Sequence, residues 1–98
     1  GEKALNIVNV VGPEGRLEGI LTDGDLRRLL DAEVDLYRTC VRDVMTRSPI
    51  TTAGDVLAGE AVRAMAEGSR AITAMPVVED DRLVGTIRMY DIVRAGIV

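Results

Sequence analysis

Two periods of apolar and polar residues alternate along this chain, and together they lay out its elements. Residues 5–11 (Leu-Asn-Ile-Val-Asn-Val-Val) are mostly β-branched and apolar, and Gly12-Pro13-Glu14-Gly15 is a strong turn signal. Leu17 to Thr22 returns as a second strand, so 5–22 reads as a hairpin. A helix over 24–31 follows, with Leu26, Leu29 and Leu30 on one face. Residues 32–40 form a largely polar connection, 42–45 a short helical turn, and Ser48-Pro49 forces extended backbone. Ile50-Thr51-Thr52 is expected as a short strand. The clearest helix spans 55–67, where Leu57, Ala61, Val62 and Met65 fall at helical spacing opposite Glu60, Arg63 and Glu67, and Gly68 can end it. Strand 72–79, a turn at Glu79-Asp80-Asp81, strand 83–88 and helix 90–95 complete the pattern. The methionines at 45, 65, 75 and 89 read as core filler.

The second half repeats the first. Val77-Val78 lies over Val10-Val11 at an offset of 67, and Arg82-Leu83-x-Gly85 over Arg16-Leu17-x-Gly19 at 66. At that second offset Asp91 matches Asp25, Arg94 matches Arg28, and Arg88 stands in the place of Thr22. The expected fold is therefore α+β, two β-β-α units related by a pseudo-two-fold axis and burying each other's apolar faces. The units are unequal. Strand 50–52 and helix 55–67 precede the second hairpin, and their counterparts would fall before residue 1, so the first unit is expected to be truncated and the chain a fragment of a longer protein.

Composition narrows the function. With 98 residues, 47% hydrophobic and 29% charged, the chain has an ordinary globular balance. No apolar run approaches the ~20 residues that cross a membrane, and no signal peptide opens the chain. The single cysteine, Cys40, cannot close an intrachain disulfide, which fits a cytoplasmic location. A net charge of −4 and only two aromatics, Tyr37 and Tyr90, argue against nucleic acid as a partner. Without histidine a zinc site is not expected, and no nucleophile motif or acid–base pair suggests catalysis. Eleven of the twelve basic residues are arginine, whose planar fork suits phosphate and carboxylate.

The stretch that carries chemistry is Gly19-Ile20-Leu21-Thr22-Asp23-Gly24-Asp25, running into Leu26-Arg27-Arg28. It reads as a strand end, a tight turn and a helix start. Unpaired N–H groups and the positive end of the helix dipole attract phosphate there. The Thr22 hydroxyl can join those donors, and the Asp25 carboxylate can accept from a ribose diol. The same residues also spell a capping box, in which Thr22 and Asp25 only satisfy the helix's own donors.

Strand-helix-strand-strand-helix written twice resembles the CBS-domain pair, or Bateman module. That family's closing pattern Gly-x-x-Thr-x-x-Asp is met at Gly19, Thr22 and Asp25, while the second copy keeps Gly85 and Asp91. The resemblance implies a first CBS motif over 1–40, incomplete at its start, and a second over 41–98. It also implies that Thr22 and Asp25, with Arg28 beside them, meet phosphate and ribose. In the second copy Asp91 is kept and Arg88 replaces the hydroxyl residue. A base pocket maps to Ile50 and Thr51 with Met75 and Pro76.

Three segments are more narrowly similar to the tail of arabinose-5-phosphate isomerases, which feed 3-deoxy-manno-octulosonate into lipopolysaccharide synthesis. They are residues 19–28, Val44-Met45-Thr46-Arg47-Ser48-Pro49 and Tyr90-Asp91-Ile92-Val93-Arg94-Ala95-Gly96-Ile97-Val98. This likeness implies a regulatory module without catalytic residues of its own, following an upstream sugar isomerase domain. Its implied effector is a nucleotide or nucleotide sugar, with no other cofactor. Arg88 suggests an acidic effector, the pathway's cytidine nucleotide carrying a sugar acid. Association as a homo-oligomer, a dimer or larger, is also implied, with Leu5, Ile7, Val8 and Val10 as the face to be covered. The alternative is an interaction module that binds no ligand.

Overall fold

A computed structural model describes residues 7–67 and 72–96. In chain order the regular elements are β1 (Ile7–Val11), β2 (Leu17–Thr22), α1 (Asp23–Asp31), α2 (Val41–Val44), α3 (Ala58–Ala66), β3 (Ala74–Glu79), β4 (Arg82–Arg88) and α4 (Met89–Arg94). Single 3-10 turns at Pro13–Gly15 and Leu36–Arg38 punctuate the connections. The expected positions of Leu5, Gly68, Ile97 and Val98 lie outside the described residues.

β1 pairs with β2 and β3 with β4, each antiparallel. The two ladders share an irregularity at the same place in the repeat. Val10 pairs with Gly19 but Val11 with Leu17, and Val77 pairs with Gly85 but Val78 with Leu83. One extra residue, Glu18 or Val84, bulges from the returning strand and sharpens its twist. Both turns also carry two consecutive residues with positive φ, Glu14 and Gly15 in one hairpin and Asp80 and Asp81 in the other. The repeat read from identities is thus a repeat of backbone conformation.

The hairpins meet where β2 and β4 begin. Arg16 and Arg82 form an antiparallel bridge, and the Leu17 N–H donates to the Asp81 carbonyl at 2.9 Å. Further along, the Asn9 amide donates to the Thr86 hydroxyl at 2.9 Å. The connection after α2 is stitched to the first hairpin by Ile20 and Thr46, which exchange backbone hydrogen bonds of 3.0 and 2.8 Å. Gly19 makes that approach possible, because a Cβ there would lie 2.6 Å from both the Thr46 carbonyl and the Met45 sulfur.

The core forms under the second hairpin, where Ala61, Met65 and Met75 are buried with Ile72, Ile87 and Met89 packed against them. Met45 is buried as well, while Met89 is half-buried. Flexible thioethers fill this irregular space among β-branched neighbours.

Four expectations need correction. The helix expected from 55 begins at Ala58, because Ala53–Val56 form a turn in which the Val56 N–H reaches the Ala53 carbonyl. Leu57 is its N-cap and offers no side-chain acceptor. Leu57 is 71% exposed and Val62 half-buried, so Ala61 and Met65 alone form the deep face of α3. Residues 50–52 form no strand. Only Thr52 reaches the ladder, bridging parallel to Val77 between the Pro76 carbonyl and the Val78 N–H. Finally, the apolar face of α1 is open, with Leu30 62% exposed and Leu29 half-buried.

Candidate functional site

A cavity of about 560 Å³ opens in front of the junction between β2 and α1. One wall is that junction itself: Thr22, Asp23, Gly24, Asp25 and Arg28. The opposite wall comes from the other half of the chain, with Ser48, Pro49 and Ile50 from the connection and Ile72, Thr73 and Ala74 at the start of the second hairpin. Ile7, Ile20 and Thr46 line it as well. The result is a slot with apolar flanks and a polar end, a composition suited to a flat ring carrying a hydroxylated or charged group.

The polar end is held rigidly. The Asp25 N–H donates to the Thr22 hydroxyl at 3.1 Å, and the Thr22 N–H donates to Asp25 Oδ2 at 2.9 Å. This is the capping box anticipated from the spacing, and it fixes the entry of α1. Arg28, one turn further on, donates to the second oxygen of the same carboxylate. Burial pushes the Asp25 pKa upward, but hydrogen bonds from Thr22 and Arg28 outweigh it and hold the value below the usual carboxylate range. Asp25 is thus an anchored anion at neutral pH. A carboxylate offers about four lone-pair directions, so it can still accept from a ligand hydroxyl.

The second copy is built differently. Arg88 sits at the N-cap of α4 and cannot act as an acceptor, so no side chain caps this helix. Its guanidinium instead grips Asp91, with Nε to Oδ2 at 2.8 Å and Nη2 to Oδ1 at 3.0 Å. The Arg88 guanidinium holds the Asp91 carboxyl below its ordinary pKa, and its own pKa is raised in return. Arg94, the counterpart of Arg28, lies over the Tyr90 ring at 5.5 Å.

Of the nine residues expected to meet a ligand, Thr22, Asp25, Arg28 and Ile50 share the large cavity. Thr51 lines a smaller one of about 210 Å³ beside Arg16, Leu17 and Asp81. The Met75 and Pro76 side chains are fully buried, so only their backbone could take part in recognition. Arg88 and Asp91 line neither cavity. Thr73 and Ala74 line the cavity without any local signal in the sequence, because their place depends on how the two units are set against each other. Ser48 and Pro49, at the end of the segment 44–49, line the cavity as well. Among the described residues no acidic, cysteine or histidine cluster is placed to hold a metal ion, and no helix is long and apolar enough to cross a membrane.

A protein-family model of the CBS domain matches residues 41–97, more than half of the chain. The arabinose 5-phosphate isomerase KdsD of Yersinia pestis is 42% identical over 96 residues, which cover 98% of this chain and 29% of that protein. The chain therefore spans under a third of the length of the curated relatives it matches. Among solved structures, a CBS domain pair in complex with 5′-methylthioadenosine and S-adenosyl-L-methionine superposes with a TM-score of 0.78 at 29% identity, covering 93% of this chain and 72% of that one. The protein CBSX2 in complex with AMP superposes with a TM-score of 0.74 at 27% identity, covering 93% and 70%.

Proposed function

The chain belongs to the CBS-domain family, and from that premise we propose that it is the regulatory, ligand-sensing module of an arabinose-5-phosphate isomerase. The observation that carries this reading is the convergence of the Thr22, Asp25 and Arg28 turn with Ile50, from the other half of the chain, on one cavity of nucleotide size. The two CBS structures named above hold AMP, 5′-methylthioadenosine or S-adenosyl-L-methionine, which supports a nucleoside-type ligand here. The base would enter between the isoleucine-lined walls. Its ribose diol would donate to Asp25, and Arg28 with the amides opening α1 would meet a phosphate or another acidic group.

On this reading the motifs divide at residues 40 and 41. An isomerase domain upstream performs the reaction, and the protein works in the cytoplasm on the route to lipopolysaccharide. The effector is a nucleotide or nucleotide sugar. The cytidine-linked sugar acid stays in that class, with Arg28 instead of Arg88 as the cation for its acid group. The module also associates as a dimer or larger, consistent with the open apolar positions Val8, Leu30 and Leu57.

A thermal-shift screen with AMP, ATP, 5′-methylthioadenosine, S-adenosyl-L-methionine and the cytidine-linked sugar acid tests the proposal, because a ligand that binds only the folded state raises its melting temperature. At least one of these should do so in a dose-dependent way. A flat response to all five would favour an interaction module without a ligand.

A further inference from the structure

The two units carry the same carboxylate in the same place, yet present it differently. In the first unit the strand-end residue is a small hydroxyl, Thr22, and the arginine reaches Asp25 from the helix side. The space beyond the strand end is left as cavity. In the second unit the strand-end residue is itself the arginine. Arg88, at the strand end that Thr22 occupies in the first unit, engages both oxygens of Asp91. With that carboxylate already paired, Arg94 is turned onto the Tyr90 ring.

Asp25 also has both oxygens engaged, but by one backbone N–H and one arginine nitrogen, whereas a single planar fork holds both oxygens of Asp91, and an incoming ribose diol would have to compete with that fork. That competition opposes binding. The helix behind also differs, with six residues in α4 against nine in α1. Fewer aligned peptide dipoles stand behind its N-terminus.

We propose that Arg88 closes the second unit from within, so that the chain takes up one nucleoside-type ligand, at the cavity of Thr22 and Asp25, and none at Asp91. This rests on the reading of that cavity as the ligand site. The asymmetry makes the second unit a structural partner: it lends Ile50, Thr73 and Ala74 to the first unit's cavity and keeps its own carboxylate for Arg88.

Isothermal titration of the whole chain with AMP, and separately with 5′-methylthioadenosine, decides the matter. One ligand per chain is expected. Arg88→Ala and Asp91→Asn should change the affinity by less than about twofold, whereas Asp25→Ala should weaken it by about tenfold or more, the loss of roughly one hydrogen bond to a charged group. Two ligands per chain would overturn the inference and leave the first cavity's role intact. So would a tenfold loss in Arg88→Ala with an unchanged circular dichroism spectrum. Absence of heat with both probes would overturn the reading of the cavity, and this inference with it.

Discussion

Arg16 and Arg82, equivalent residues of the two units, pair with each other across the pseudo-two-fold axis in an antiparallel bridge. Like charges set directly opposite destabilise a ladder. Each is answered by the acidic turn of the other hairpin: Arg16 reaches Asp81 at 3.2 Å and Arg82 reaches Glu14 at 3.4 Å. All four side chains are more than half exposed, so each ion pair alone contributes under about 1 kcal/mol.

That arrangement predicts an asymmetry between two double variants. Glu14→Gln with Asp81→Asn leaves two facing arginines and should cost more stability in urea unfolding than Arg16→Gln with Arg82→Gln, by about 0.5–1 kcal/mol at low salt. Raising the salt concentration should shrink the gap. Equal costs at low salt would mean that the arginines do not feel each other.

Gly19 and Gly85 are also repeat equivalents, and here the prediction splits. A Cβ at Gly19 meets the Thr46 carbonyl at 2.6 Å, a backbone atom that cannot swing aside. At Gly85 no atom stands within 4 Å. Gly19→Ala should therefore destabilise by about 1–3 kcal/mol, in the range of overpacked sites. Gly85→Ala should stay within about 0.5 kcal/mol of the parent. Thermal unfolding of the two variants checks this, and a tolerated Gly19→Ala would contradict the close approach of the connection to β2.

Met65 within α3 and Leu57 at its N-cap differ in burial, at 0% and 71% exposed. Met65→Ala should cost about 2–5 kcal/mol. Leu57→Ala should fall within about 0.5 kcal/mol, as for other surface sites. Similar costs in chemical denaturation would move the core face back to the one expected from spacing alone.

How far the sequence reached can be judged from these same residues. Hairpins, helices and the two-fold repeat were legible because they rest on local signals: β-branched runs, glycine-rich turns, apolar spacing and the identities at Arg16, Leu17, Gly19, Asp25 and Arg28. The capping box at Thr22 and Asp25 was legible for the same reason. The partners of that site were not. Thr73 and Ala74 enter the cavity from the other half of the chain, a relation with no local signature. The pairing of Arg88 with Asp91, three residues away, was not legible either, because sequence shows a residue's charge but not its partner. Leu57 fits the helical period, yet it is the extended N-cap residue, outside the helix that begins at Ala58.

Acid titration offers another check. The pKa of Asp25 is lowered on folding, so its stabilisation is fully present above the ordinary carboxylate value, near pH 4. It is lost as the pH falls through the lowered value. The Asp91 pKa is lowered too, but its side chain is about half exposed and solvent screens the pair with Arg88. Asp25→Asn should consequently remove more of the acid-dependent loss of stability than Asp91→Asn. A steeper acid loss in Asp25→Asn than in the parent would reverse the sign argued here.

The central claim is that one ligand seats between the first unit's Thr22–Arg28 turn and the second unit's edge at Ile50, Thr73 and Ala74. Amide chemical-shift mapping during titration with AMP tests it most directly. The account predicts shifts clustered at Asp23–Arg28, Thr46–Ile50 and Ile72–Ala74, with Met89–Arg94 unmoved. Shifts centred on Arg88 and Asp91, with the Thr22–Arg28 turn silent, would contradict it.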